Sequence, residues 1–408
     1  MIPIMSESKA IILGASGTTL SPDEAAFFRD ERPWGFIVFA RNVESAGQLR
    51  DLAAAMRDCV GRADAPVFVD QEGGRVQRLR PPLARDYPPA AALGALYRHD
   101  ARAGLRAAWL MSRLHAFDLL RCGLNADCLP VLDVPVEGAH DVIGDRAYGK
   151  DPDTVAAMGR AAMAGLQAGG VLPVVKHIPG HGRAFADSHH ALPVVDASLD
   201  ALRSHDFPPF RALADAPMAM TAHVVYTAID AERPATTSPK AIAEIIRGEI
   251  GFDGLLMSDD VSMKALSGDF ASRTQAIVAA GCDVVLHCNG LMDEMRAVAG
   301  AAPVLSGEAL RRVMRQDADF SFAVSQELSG CYRGLVRAVK NQKLRGGAER
   351  LANYLVTQRI RQDLVETMVL PHEKRVLASL LGMTPENLSR AFASLAKYGV
   401  IVRGGEVT

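Results

Sequence analysis

Eight short apolar runs, each followed by a longer stretch, constrain this chain more than any other feature it carries. The runs are Ala10–Leu13, Gly35–Phe39, Pro66–Val69, Ala126–Leu129, Leu172–Val175, Met218–Thr221, Leu255–Ser258 and Val284–His287. Their length suits buried strands. The segments between them, among them Asp51–Val60, Ala101–Arg121, Thr154–Ala168 and Pro239–Glu249, place apolar residues at helical spacing. Strand–helix alternation predicts a parallel sheet, and eight units predict an α/β fold closed into a (β/α)8 TIM barrel. An open, doubly wound sheet is the alternative, because periodicity does not show closure.

A barrel of this kind carries its chemistry just past the C-termini of its strands. Polar clusters fall at those places: Asp70-Gln-Glu-Gly-Gly after the third run, Asp133 after the fourth, Lys176-His177 after the fifth, His223 after the sixth and Asp259-Asp260 after the seventh. Near Ser306–Arg315 the pattern resembles a last barrel helix, and Gln316–Ser321 leads into something different. Residues 319–408 hold 13 Lys+Arg against 8 Asp+Glu, a balance of +5 that leaves residues 1–318 at −7. Two modules with different partners are expected, 1–318 and 319–408. In the second, Val324–Lys343, Gly347–Asp363, His372–Leu381 and Pro385–Tyr398 are expected to be helical.

No basic start followed by an apolar run opens the chain, and runs such as Leu255–Met257 are too short to cross a bilayer. The six cysteines, Cys59, Cys122, Cys128, Cys282, Cys288 and Cys331, lack CxxC pairs and zinc-finger histidines. Reduced thiols in the cytoplasm are the expectation.

The segment Lys176-His-Ile-Pro-Gly-His-Gly-Arg-Ala-Phe-Ala-Asp-Ser-His-His190 leaves a strand, turns through Pro179 and Gly180, and shows no apolar helical face. Long loops of this type carry function. Asp187 stands two residues before His189, close enough in a turn to orient the imidazole and favour its charged form for acid–base work. A plain polar loop and a zinc site are the alternatives, the latter without a recognised ligand spacing. An aspartate at a barrel mouth, such as Asp259, can serve as a nucleophile toward a sugar carbon, although helix N-capping would explain one member of the pair. Asp70-Gln-Glu-Gly-Gly-Arg-Val-Gln-Arg78 offers carboxylates and arginines to clamp hydroxyls, with two glycines that permit a tight turn beside a ligand; a structural turn with an ion pair is its bland alternative. Arg146 adds a planar donor fork.

With these motifs in view, residues of about 9–315 resemble the bacterial family-3 β-N-acetylglucosaminidases of cell-wall recycling. The resemblance rests on Asp70–Arg78, Lys176–Gly182, Ala186-Asp-Ser-His189, Met220-Thr-Ala-His223 and Ser258-Asp-Asp260. It implies Asp259 as the nucleophile, His189 as the acid/base oriented by Asp187, and Asp70, Arg78, Arg146, Lys176 and His177 as sugar-binding residues. It also implies retaining hydrolysis of terminal β-linked GlcNAc from muropeptides, with no metal or organic cofactor called for. Another β-glycoside as substrate stays open.

In the tail, two short helices meet at Gly382-Met-Thr, with Thr384 placed as N-cap and Pro385 in the first turn. This is a helix-turn-helix form. Residues 320–408 resemble the C-terminal half of cyclic-AMP-receptor-type transcription regulators, without the sensory barrel that normally precedes it. The resemblance implies a homodimer through residues 324–343 and DNA as a partner, with Glu386, Ser389 and Arg390 on the second helix as contacts. The rival to the enzyme is therefore a regulator whose barrel senses an amino sugar. An intact Asp259, Asp187 and His189 favour the enzyme.

Overall fold

The computed structural model describes residues 8–184, 192–316, 345–362, 367–403 and 405–408, with the single positions 321, 329 and 336. Contacts divide the chain into two compact units that meet in sequence at Ala323 and Val324.

In the first unit eight strands close into a parallel barrel: β1 Lys9–Gly14, β2 Pro33–Ile37, β3 Val67–Val69, β4 Ala126–Asp127, β5 Leu172–Ile178, β6 Met218–Thr221, β7 Leu255–Asp260 and β8 Val284–His287. Each strand pairs with its neighbours in sequence, and β8 returns to β1 through pairs such as Ile11 with Val285. Closure removes the open-sheet alternative. The helices of this unit include α1 Pro22–Glu31, α2 Ala46–Val60, α3 Ala90–His99, α4 Ala101–Arg121, α5 Pro152–Ala168, α6 Ala241–Glu249, α7 Phe270–Ala280, α8 Met292–Ala301 and α9 Gly307–Gln316.

Strand side chains alternate between faces, and here both faces are apolar because parallel barrels are covered on both sides. Ala10, Ile12, Phe68, Val174, Met218, Met257 and Val284 gather in one buried cluster, which fills the barrel. Their sequence neighbours Ile11, Leu13, Val67, Val69, Val175, Ala219, Leu256 and Val285 belong to a second cluster, packed under the helices. Two-sided burial is why the strands read as unbroken apolar runs.

Local signals fix the helix ends. Ser21 accepts from the Glu24 amide while Glu24 returns a bond to the Ser21 amide, a capping box that starts α1. Asp100 caps α4 and Asp151 caps α5 by accepting from the amides of Ala103 and Thr154, without a reciprocal bond. Several expected ranges shift, β2 by two residues to Pro33–Ile37. β4 is a regular strand only over Ala126–Asp127, although Cys128 still donates to the Val69 carbonyl and Leu129 still accepts from the Val174 amide. β5 and β7 run on through Lys176-His177 and Asp259-Asp260, so these polar pairs end their strands instead of following them.

The second unit has its own core of Leu351, Leu355, Leu377, Leu388, Ala391, Leu395 and Val407. It contains α10 Gly347–Arg361, α11 Lys374–Leu380, α12 Pro385–Ala396 and an antiparallel sheet of β9 Met368–Val369, β10 Val402–Arg403 and β11 Glu406–Val407, in the order β9-β11-β10. Gly382 turns the chain between α11 and α12 at φ +62, and the Thr384 hydroxyl accepts from the Asn387 amide at 3.3 Å. This is a winged helix-turn-helix. Of the expected dimerisation helix, residues 324–343, only positions 329 and 336 are described, both helical, and the rest lies outside the described residues. Among the described residues no helix is long and apolar enough to cross a membrane.

Because the barrel interior is filled by side chains, Phe68→Ala opens a cavity that neighbouring strands cannot close. A loss of about 3–5 kcal/mol is expected in urea unfolding; a change under about 1 kcal/mol would mean that Phe68 does not pack in the lumen.

Candidate active site

The rows of residues that fill the barrel end in polar groups at the C-terminal mouth. On β7 the alternation Leu255, Met257 continues to Asp259, on β5 Leu172, Val174 continues to Lys176, and past β3 Phe68 continues to Asp70. Strand geometry therefore points these three side chains where the packed lumen runs out. They line one pocket at the mouth together with Arg78, Arg146, His177, His181 and Asp260, with Ile37, Met220 and Leu286 as apolar lining.

Lys176 sits 1% exposed and bridges two carboxylates, with its ammonium 2.9 Å from Asp70 and 2.7 Å from Glu72. Arg78 reaches Asp70 at 3.0 Å and stacks on the Phe39 ring. Arg146 grips Glu72 through Nε and Nη2, at 2.9 and 2.8 Å. Burial pushes the Asp70 and Glu72 carboxyls up, but Lys176 and the arginines outweigh it: Asp70 falls well below the usual carboxylate range and Glu72 to about 2. Burial would likewise lower the Lys176 ammonium, and the two carboxylates raise it instead. Asp70, Glu72, Lys176 and Arg146 are all charged at neutral pH.

A second network holds the β5 end. Asp133 accepts from His177 Nδ1 at 2.7 Å and from the amides of His177 and His181 at 3.2 and 2.7 Å. Burial opposes its ionisation, but His177, the imidazole bond and the His181 amide bring Asp133 down to about 2. An ionised Asp133 fixes the His177 tautomer with the proton on Nδ1. Burial lowers His181 to about 4, helped by neighbouring His177. Tyr226 donates to the Gly180 carbonyl at 2.7 Å, and Arg183 pairs with Asp206 at 2.6 Å. Cis peptides join Lys176 to His177 and Ile178 to Pro179.

Asp259 is 7% exposed, and its carboxylate accepts from the Asp260 amide at 2.8 Å. Asp260 is not a helix cap. It accepts from the amides of Ser262 and Cys288 at 3.0 and 3.1 Å, tying β7 to the loop after β8. His223 does not line the cavity. It is fully buried and donates from Nε2 to the Asp260 carbonyl at 3.0 Å, so it props the β7 end from behind; burial lowers its pKa.

The expected site residues Asp70, Arg78, Arg146, Lys176, His177 and Asp259 thus come together around one cavity. Asp187 and His189 lie outside the described residues. Glu386, Ser389 and Arg390 are exposed on α12 in the other unit, where the Ser389 hydroxyl donates back to the Pro385 carbonyl at 3.1 Å. Glu72 was left out of the expected set. Its signal was the polar position two residues past Asp70, on a hairpin of Gln71–Gly73 with Val76–Gln77. The double glycine serves this hairpin, not a ligand. Gly73 and Gly74 have φ +98 and +59, and a Cβ on them would meet the Pro88 carbonyl and Pro89 at 2.5 and 2.8 Å. Arg75 is also structural, holding the carbonyls of Asp141, Val142 and Ile143. Among the described residues no cluster of three or more His, Cys, Asp or Glu side chains is arranged to hold a metal ion.

Residues 11–316 match the model of the glycosyl hydrolase family 3 N-terminal domain, and residues 349–408 match the Crp-like helix-turn-helix domain. The chain is 41% identical over 283 residues to a β-hexosaminidase of Alkalilimnicola ehrlichii, covering 68% of this chain and 80% of that one. It is 40% identical to a β-hexosaminidase of Stenotrophomonas maltophilia over 300 residues, 71% of this chain and 87% of the relative. Among solved structures it resembles a Paenibacillus family-3 β-N-acetylglucosaminidase with TM-score 0.70 and 29% identity, over 80% of this chain and 63% of that one. It also resembles NagZ from Neisseria gonorrhoeae, solved with N-trifluoroacetyl-D-glucosamine, with TM-score 0.66 and 34% identity over 79% of this chain and 97% of that one. The chain belongs to glycosyl hydrolase family 3 and is a glycoside hydrolase.

The Asp133 carboxyl, lower in the fold than the ordinary aspartate value of 3.8, adds stability that is complete above that pH and is lost as pH falls through about 2. In urea titrations the advantage of wild type over Asp133→Asn should shrink by about 2 kcal/mol between about pH 4 and about pH 2. A constant difference would contradict the charged Asp133–histidine network.

Proposed function

We propose that this family-3 glycoside hydrolase is a retaining exo-β-N-acetylglucosaminidase that removes terminal β-linked GlcNAc from peptidoglycan-derived muropeptides in the cytoplasm. The observation that carries the reading is Asp259, an aspartate at the end of a lumen row, beside a lattice of fixed charges that can grip sugar hydroxyls. The relatives, β-hexosaminidases and a β-N-acetylglucosaminidase, agree with it.

The reaction runs in two displacements. The Asp259 carboxylate attacks the anomeric carbon as the bond to the leaving oxygen breaks, and His189, oriented by Asp187, gives that oxygen a proton. Water then attacks the same carbon, His189 takes its proton, and Asp259 is released. Two inversions retain configuration. Asp70 accepts from a sugar hydroxyl while Lys176, Arg78 and His177 donate or accept around it. Arg146 spends three of its donors on Glu72 and the Val142 carbonyl, which leaves two for the ligand. Because these charges are already paired with one another, the site binds without large rearrangement.

A barrel that senses an amino sugar without cleaving it is the reading that the activity test removes. The tail belongs to a separate function. We propose the division at 318/319, with residues 319–408 as a dimerising, DNA-binding module; the helix-turn-helix match and the exposed Glu386 and Arg390 on α12 support it. While it donates to Pro385, the Ser389 hydroxyl can offer a base only its acceptor lone pairs.

Wild type should hydrolyse a chromogenic β-N-acetylglucosaminide, and Asp259→Asn should lower kcat by about 10³-fold or more. Absence of wild-type turnover sinks the enzyme reading; full activity in the variant sinks the nucleophile. His189→Ala should slow aryl glycosides with poor leaving groups far more than dinitrophenyl glycosides, since a good leaving group needs no proton. An equal loss on both contradicts the acid/base role. Retardation of a random DNA duplex pool should weaken with salt and with Arg390→Ala; no retardation at low salt contradicts the DNA module.

A further inference from the structure

Helix α4 presents to solvent a face that the glycosidase site does not use. Its buried side carries Ala108, Met111, His115, Ala116 and Leu119. On the opposite side Leu110, Leu114, Phe117 and Leu120 are 40%, 49%, 54% and 44% exposed. At 100° per residue they share that outward face with Arg102, Arg106, Arg113 and Arg121. Arg106 lies over the Trp109 ring at 5.3 Å and Arg121 over the Phe117 ring at 5.7 Å.

No acidic side chain shares this outward face. Asp118 is buried and accepts from the Tyr87 hydroxyl at 2.6 Å, and Asp100 is spent on capping the helix. The nearest carboxylate to Arg121 is Asp118 at 4.0 Å. A purely basic face is unexpected on a module whose balance over residues 1–318 is −7. The 21 residues of α4 extend it to about 30 Å.

We infer that this face of α4 docks the enzyme on an anionic phospholipid surface. Charge decides among occupants. A second copy laid on the same face would set four arginines against four arginines, which repel. Nucleic acid would take the arginines and leave the exposed leucines and Phe117 facing a charged backbone. An anionic bilayer satisfies both sets at once: guanidinium groups meet headgroup phosphates while Leu and Phe enter the boundary with the acyl chains. The arginines give long-range attraction and the apolar groups give residence. Because barrel helices run antiparallel to their strands, the Arg102 end of α4 lies toward the catalytic mouth, and the flank can lie on a surface with the mouth unobstructed.

The test is sedimentation of the full chain with phosphatidylcholine vesicles and with vesicles containing about one-third phosphatidylglycerol, at low and at high salt. Wild type should pellet with the anionic vesicles only, and high salt should weaken it. Leu114→Gln/Phe117→Ser should abolish pelleting. Arg106→Glu/Arg113→Glu should lower it by more than about 25-fold, since each lost arginine counts about fivefold before repulsion adds. Leu114, Phe117 and Arg106 are exposed and Arg113 is half-buried at the edge of the face, far from the catalytic mouth, so both variants should keep wild-type hydrolase activity, which confirms their folding. The inference is overturned if wild type stays in the supernatant with anionic vesicles, or if both variants pellet as wild type does. It is also overturned if the apolar substitutions abolish a concentration-dependent dimer without affecting vesicles, which assigns the face to a second copy. Binding to polyglutamate but not to vesicles would overturn it in favour of an acidic protein partner.

Discussion

The ammonium of Lys176, buried between Asp70 and Glu72, is the interaction on which the rest of the site depends. A lysine this deep would ordinarily shed its charge, and two carboxylates this close would ordinarily share a proton. With Arg78 and Arg146, the cations keep the carboxylates ionised and the carboxylates keep Lys176 and Arg146 charged. Removing one member would leave an uncompensated charge inside the barrel mouth, a cost of about 3–5 kcal/mol in comparable buried pairs. The lattice is thus rigid for electrostatic reasons. A ligand that meets it finds donors and acceptors already in place, and Asp259 stands beside them at the end of its own lumen row.

Much of this was legible in the chain. Parallel strands covered on both faces give unbroken apolar runs, and all eight runs named from the sequence became barrel strands. Polar clusters after the apolar runs marked the mouth; that Lys176 and Asp259 continue the lumen-facing alternation of Leu172, Val174 and of Leu255, Met257 became visible only in the fold. Pairings across the barrel were not legible. Glu72 looked like one more polar residue of a turn, because nothing local says that Lys176 and Arg146, both more than seventy positions away, converge on it. Arg75 and the two glycines misled for the complementary reason: their partners are backbone carbonyls and prolines, which carry no sequence signal of ligand or structure. His223 belonged to the mouth by position, and only its hydrogen bond to the Asp260 carbonyl shows that it supports the strand from outside the cavity.

The winged helix-turn-helix unit was legible for local reasons too: Gly382, Thr384 and Pro385 specify a turn, a cap and a helix start within a few residues. Its core is independent of the barrel's, so its presence makes no demand on the glycosidase chemistry.

The central claim is a two-step displacement through Asp259, and stereochemistry tests it most directly. Proton NMR of the first product from a β-N-acetylglucosaminide, recorded before mutarotation, should show the β anomer of GlcNAc. The α anomer formed first would require a single displacement by water, and would contradict Asp259 as a nucleophile.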